Sequence, residues 1–239
     1  MCRILAFNVD RFERKYAQAL AKAAEDDPYF VLRAHDDGWG ISAYVLVDGE
    51  WRLVFYKTRT PIFRDQLFDA VLSLLDGRRA VGIIHARKGR RFLYSVRHNH
   101  PYHARSRLYD LFFAHNGSIS RKAFAEPNAP FTDSYLFFAE VVARVNGGLE
   151  PFEAYKEVVE RLKPFASSLN SALLTFNDVE GPKLYFVNFR NPSRAREVEE
   201  YYRMYHSEGY VFSSTVKLYL NSGDPVPEGE VLELEYKQV

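Results

Sequence analysis

Apolar residues fall in short blocks along the chain, and their spacing changes twice. Ile4 to Val9 is a nearly unbroken apolar run, short enough for a buried strand. Arg11 to Glu25 is alanine-rich, with apolar positions at helical spacing. Trp39 to Val47 and Trp51 to Thr58 are rich in β-formers and are divided by Asp48-Gly49, a pair suited to a tight hairpin. Phe63 to Leu75 has an amphipathic helical pattern that stops at Asp76-Gly77. Ala80 to His85 and Leu111 to His115 read as short strands, the second ending at Asn116-Gly117. Asp133 to Val145 and Pro151 to Leu162 predict two helices separated by Asn146-Gly147-Gly148. The last third returns to strand: Ser171 to Phe176, Lys183 to Phe189, Tyr201 to His206, Tyr210 to Ser214 and Glu230 to Tyr236. Its turns fall at Asp178 to Pro182 and Asn221 to Gly229.

The order is strands, then helices, then strands. It does not alternate, which argues against a doubly wound parallel sheet. The pattern predicts an α+β protein with two mostly antiparallel sheets packed face to face and helices outside. Nothing reads as an interdomain linker or a repeat, so residues 1–239 are expected to form one domain.

Composition narrows the setting. The chain is 47% hydrophobic and 15% aromatic, enough for a sizeable core. Its 32 basic and 31 acidic residues leave a net charge of +1, so no global field draws it to nucleic acid or a membrane. No apolar run approaches the ~18 residues needed to span a bilayer. Asn8, Asp10, Arg11 and Glu13 interrupt any signal-peptide core. One cysteine allows no intrachain disulfide, and a cytoplasmic setting is expected.

That cysteine is Cys2, directly behind the initiator methionine. Removing Met1 leaves one residue with both a thiol and a free α-amine. The amine titrates near ~8 and the thiol near ~8.5. The amine can therefore take the thiol proton, directly or through one water, as N-terminal nucleophiles do. Taken alone, Cys2 reads first as a small buried residue opening the first strand.

Four later segments place polar groups where strands meet turns. His35-Asp36-Asp37-Gly38-Trp39-Gly40 has two glycines that permit unusual backbone angles and close approach, or is an ordinary loop. His85-Ala86-Arg87 ends a strand with a guanidinium able to fork onto a carboxylate, or with a plain surface arginine. Asn99-His100-Pro101-Tyr102 holds His100 extended before proline. Nearby His98 and His103 invite a metal reading, but no cysteine or HExxH pattern accompanies them, and no metal is expected. Phe113 to Ser118 ends in Asn116-Gly117, either a hairpin turn or an amide and a backbone N–H aimed at one point, which is an oxyanion hole. Thr132-Asp133-Ser134 opens a helix, where Thr132 or Asp133 caps it or Asp133 meets a substrate ammonium.

In this order, Cys2, Asp37-Gly38-Trp39-Gly40, His85-x-Arg87, Asn99-x-His-Pro101, His115-Asn116-Gly117 and Thr132-Asp133-Ser134 resemble the glutaminase domain of class II glutamine amidotransferases. The resemblance extends through Leu169-Asn170-Ser171, Phe212-Ser213-Ser214 and Pro227 to Leu232, and is greatest with stand-alone members of the γ-glutamyl hydrolase type. It implies a four-layer αββα fold of the N-terminal-nucleophile hydrolase type and hydrolysis of the glutamine side-chain amide without a cofactor. It implies Cys2 as nucleophile and Asn116 and Gly117 as the oxyanion hole. Arg87 is implied for the substrate α-carboxylate and Asp133 for the α-ammonium. Gly38 is implied in a pocket-lining loop and His100 in a segment beside it.

Two departures lie near the substrate end. Lys88-Gly89-Arg90-Arg91 replaces a threonine-containing run, and Asp133-Ser134-Tyr135 replaces Asp-Ser-Glu. No synthase domain follows the fold, so the chain is expected to serve a separate synthase subunit or to act alone on a γ-glutamyl small molecule. The alternatives are an N-terminal-nucleophile amidohydrolase or peptidase with another substrate, and a non-catalytic amino-acid-binding relative.

Overall fold

Side-chain parity along the strands builds four layers. The structure, a computed structural model, describes residues 2–89, 95–106, 108–195 and 197–236. In chain order the first elements are β1 (Arg3–Val9), α1 (Arg14–Glu25), β2 (Trp39–Val47), β3 (Glu50–Thr58), α2 (Phe68–Ser73) and β4 (Ala80–Ala86). Then come β5 (Tyr102–Ser106), β6 (Tyr109–Asn116), α3 (Asp133–Asn146), α4 (Pro151–Leu162), β7 (Asn170–Asn177) and β8 (Gly181–Val187). The chain closes with α5 (Glu199–Tyr202), β9 (Met204–Ser207), β10 (Tyr210–Ser213), α6 (Ser214–Leu220), β11 (Asp224–Pro225) and β12 (Val231–Glu233).

One sheet runs β11-β9-β10-β1-β4-β2-β3 and the other β12-β8-β7-β6-β5. Their pairings are antiparallel. Because strand side chains alternate between faces, β1 sends Leu5, Phe7 and Val9 into an outer apolar layer shared with α1, α2 and α6. It sends Ile4 and Ala6 into a middle layer between the sheets. Likewise β6 sends Leu111 and Phe113 outward against α3 and α4, and Phe112 and Ala114 inward. Each large side chain buried this way contributes roughly 1.5–3 kcal/mol. The result is the αββα sandwich expected from the sequence.

Several elements differ from expectation. Helix formation over Phe63 to Leu75 is delayed to α2, because Asp65 is held extended. Its carboxylate accepts from Trp39 Nε1 and Tyr56 OH, both at 2.8 Å. The run Tyr201 to His206 divides into α5 and β9. Tyr201 and Tyr202 are both buried, which a half-buried strand does not allow. β5 lacks an apolar signature because its edge position leaves His103 exposed and Arg105 exposed. α6 begins among Ser213, Ser214 and Thr215, where no helical pattern shows, and packs on α1. Among the described residues no helix is long and apolar enough to cross a membrane.

Candidate active site

The parity that builds the middle layer also gathers its polar end. Cys2 precedes Ile4 by two positions, His85 and Arg87 continue the Val81-Ile83 face of β4, and Asn116 continues the Phe112-Ala114 face of β6. Antiparallel register closes the geometry: Ile4 lies opposite His85, and Asn116 opposite Asn170. Cys2, His85, Arg87 and Asn116 therefore meet at one end of the apolar layer, all buried.

Cys2 and Arg87 border a cleft of about 240 Å³ whose wall also includes His100, His115, Gly117 and Asp133, while His85 and Asn116 are not part of that wall. The backbone N–H of Cys2 donates to Asn116 Oδ1 at 2.8 Å. This fixes the amide, and its Nδ2 is left buried with no hydrogen-bond partner. Arg87 is equally incomplete: the residue is 4% exposed, yet its Nη1 has no partner among the described residues. An unpaired buried cation is costly, so the site is set up for an anionic group.

The Asn116-Gly117-Ser118 turn is pinned from outside. Ser168 Oγ donates to the Asn116 carbonyl at 3.1 Å, and the Ser167 N–H donates to the Ser118 carbonyl at 2.8 Å. His115 Nε2 donates to the Ser168 carbonyl at 3.1 Å, which leaves Nδ1 to accept from Ser134 Oγ at 2.9 Å. Burial holds His115 below the usual imidazole range, in keeping with that neutral arrangement. A side chain at Gly117 would overlap the Ser168 carbonyl and the His115 ring.

Thr132, rather than Asp133, caps α3: its hydroxyl accepts from the Tyr135 N–H at 3.0 Å. Asp133 lines the cleft, its two oxygens accepting from the Ile119 and Ser134 N–H groups at 2.8 and 3.0 Å. His100 also lines the cleft with both ring nitrogens buried and unpartnered, and burial keeps it neutral.

Gly38 needs correction. It stands one layer behind the cleft wall, where its carbonyl accepts from the Arg87 N–H at 2.9 Å while the Asp37 N–H donates to the Arg87 carbonyl at 3.0 Å. Its φ of 115° and the Asn99 side chain beside it exclude larger residues. The loop thus anchors Arg87 rather than touching the cleft. Of the altered run, Lys88 pairs with Asp36 and the Gly89 N–H donates to Asp37 at 2.7 Å. Arg90 and Arg91 lie outside the described residues. Tyr135 packs edge-on against Tyr102 and at a tilt against Phe131, a residue of the cleft wall, without lining the cleft itself. Among the described residues no group of three histidine, cysteine, aspartate or glutamate side chains is placed to hold a metal ion.

Electrostatically, the nucleophile candidate is the outlier. Burial pushes the Cys2 thiol up, but the charges of His85, of the N-terminal ammonium and of Arg87 pull it down to about 6. Sequence reasoning passed over His85, although its parity with Ile83 and Arg87 was readable. The Ser167-Ser168 clamp and the Ser134 contact carry no local signal. A second cavity of about 260 Å³, near Asn188, Arg190 and Glu199, holds neither a nucleophile nor an unpaired buried charge, since Arg190 and Arg203 pair with Glu199.

No model of a known protein family matches the chain, and no curated protein does. Among solved structures it is similar to the allosteric regulatory enzyme of purine biosynthesis, at 16% identity with a TM-score of 0.58. The match covers 98% of this chain and 46% of that one, so the chain spans about half of that relative's length. The fold is of the N-terminal-nucleophile hydrolase type. Two further matches are a glutamine aminotransferase class-II domain protein from Silicibacter pomeroyi and a predicted glutamine amidotransferase from Pseudomonas aeruginosa PA01. The first has 16% identity, coverage of 98% and 92%, and a TM-score of 0.44. The second has 13% identity, coverage of 97% and 82%, and a TM-score of 0.40.

Proposed function

We propose that this chain is a class II glutamine amidotransferase-like hydrolase that cleaves the side-chain amide of glutamine or of a γ-glutamyl compound through a Cys2 thioester. The observation that carries the reading is a cleft lined by the low-pKa Cys2 thiol and by Arg87, whose buried Nη1 has no partner among the described residues, with the unpartnered Asn116 amide nitrogen on the side chain that accepts from the Cys2 N–H. The Cys2 thiolate attacks the amide carbon, and Asn116 Nδ2 with the Gly117 N–H holds the oxyanion. Arg87 reads the α-carboxylate and Asp133 the α-ammonium, which favours a free amino-acid head group over a peptide interior. Once Met1 is removed, the nitrogen that now donates to Asn116 becomes an amine beside the thiol. As the C–N bond breaks, that amine returns the thiol proton to the departing nitrogen, which leaves as ammonia or an amine, and water then cleaves the thioester to release the glutamyl acid and the thiol. On this reading residues 1–239 act as one unit, on their own or beside a synthase partner.

The test is a substrate panel of glutamine, a γ-glutamyl anilide and isoglutamine, read as released glutamate or aniline. Turnover of the first two and not of isoglutamine is expected, because isoglutamine lacks the free α-carboxylate that Arg87 reads. Efficient cleavage of isoglutamine contradicts the head-group assignment.

A further inference from the structure

The first two residues of α3 bracket the turn that carries Asn116 and Gly117. Ser134 Oγ donates to His115 Nδ1 at 2.9 Å, immediately before Asn116. Asp133 accepts from the Ile119 N–H at 2.8 Å, immediately after Ser118. Both Asp133 and Ser134 line the cleft. The helix behind them is a fixed reference. Its Phe137 and Phe138 pack on Phe113 of β6, the strand that runs into the turn. Its cap, Thr132, also meets the Tyr102 hydroxyl of β5 at 2.6 Å.

The two sides of the turn are held by different chemistry. From outside the cleft wall the partners are neutral. Ser167 Oγ accepts from the Ser118 N–H at 3.1 Å, Ser168 Oγ donates to the Asn116 carbonyl at 3.1 Å, and Ile119 forms an isolated bridge with Ala166. On the cleft side the partner is a carboxylate, and a bond from N–H to an ionised oxygen is about twice as strong as a neutral one. A carboxylate offers about four acceptor positions. Asp133 spends two of them on the Ile119 and Ser134 N–H groups, which leaves room for a ligand donor.

We propose that Asp133 is a positioning residue for the oxyanion turn as well as the reader of the substrate ammonium, so that one carboxylate serves head-group recognition and oxyanion stabilisation together. This rests on the reading of the cleft as a glutamine or γ-glutamyl site. The turn is held before substrate arrives, and a bound ammonium then engages the same side chain that fixes Ile119. A substrate without the ammonium still meets a formed oxyanion hole. Loss of the side chain releases the turn on its cleft side, and a misplacement of about 1 Å costs on the order of 10²-fold in rate.

Asp133→Asn and Asp133→Ala separate the two tasks. Both remove the charge, so both should raise KM for glutamine by about 10–10²-fold. The asparagine variant keeps an oxygen for the Ile119 N–H and should leave kcat nearly unchanged. The alanine variant removes that acceptor and should lower kcat by about 10–10²-fold. Glutaramate, which is glutamine without its α-amine, is the control. On it the asparagine variant should match the wild type, and the alanine variant should lose kcat alone. Equal kcat for the two variants on glutamine, with unchanged kcat on glutaramate, would leave Asp133 a reader of the ammonium only and overturns the proposal. Amide exchange followed by NMR reports the contact without turnover. The Ile119 N–H should exchange slowly in the wild type and in Asp133→Asn and quickly in Asp133→Ala. The Ser167 N–H, which donates to the Ser118 carbonyl, should stay slow in all three. Fast exchange at Ile119 in the wild type overturns the proposal, even where the alanine variant does not fold. A wild type that cleaves neither glutamine nor glutaramate counts against the proposed function, and the exchange pattern then decides the hold on the turn separately.

Discussion

Asn116 performs two tasks with one side chain. Its oxygen fixes the nitrogen of Cys2, and its buried nitrogen is thereby aimed away from that bond with nothing to donate to. A donor that is unsatisfied in the resting protein gains most when an oxyanion forms, because no existing bond must be broken first. Asn116→Ala should therefore lower kcat by about 10²–10³ and leave KM within a few-fold. Steady-state kinetics on glutamine checks this. A change confined to KM would reassign Asn116 to ground-state binding. Arg87 is the complement: its buried Nη1 has no hydrogen-bond partner among the described residues, a donor whose worth appears when a carboxylate arrives.

At the scale of elements, the turn after β6 is held by three unrelated contacts, from Ser167, Ser168 and His115. Such a turn cannot adjust when space is removed. Gly117→Ala should push it off Ser168, cost about 1–3 kcal/mol in stability and lower kcat at least tenfold. Urea denaturation beside kinetics measures both, and a stable, fully active variant would show that the turn is not rigid. Much of this region was legible beforehand. Strand parity alone places Cys2, Arg87 and Asn116 on one layer, and Asn116-Gly117 marks the turn. The supports were not legible. Ser167 and Ser168 lie about fifty residues away in sequence, and α6 and α5 are set by packing on α1 and by buried tyrosines rather than by local periodicity. Asp65 shows the same override: a long-range pair of hydrogen bonds outweighs a helical pattern. Gly38 was read as a contact residue because glycine signals close approach without saying to what.

Across the whole molecule, the residue after the nucleophile anchors a buried charge network. Arg3 pairs with Asp27 at 2.6 Å, His35 lies 2.8 Å from the same carboxylate, and Thr215 of α6 donates to it at 2.7 Å. Arg3 also donates to the Tyr201 carbonyl at 2.9 Å, so α1's end, α5 and α6 are tied to the root of β1. Burial lowers His35 to about 4, while His35 and Arg3 overcome burial and hold Asp27 well below the usual carboxylate range. Between pH 6.5 and 4 the unfolded chain binds a proton at His35 that the folded one refuses, so stability falls as pH falls. The full effect is about 3 kcal/mol. Below pH 4 the unfolded Asp27 also takes a proton and the loss steepens. Urea midpoints between pH 7 and 4.5 should drop steadily in the wild type and less in His35→Gln. Equal slopes would remove His35 from the account. The central claim remains the thioester at Cys2, and trapping it tests that claim most directly. Protein mixed with glutamine, quenched in acid during turnover and weighed intact should carry one added glutamyl group, absent in folded Cys2→Ala. Glutamate release with no acyl adduct on the wild type, or undiminished release by Cys2→Ala, would contradict it.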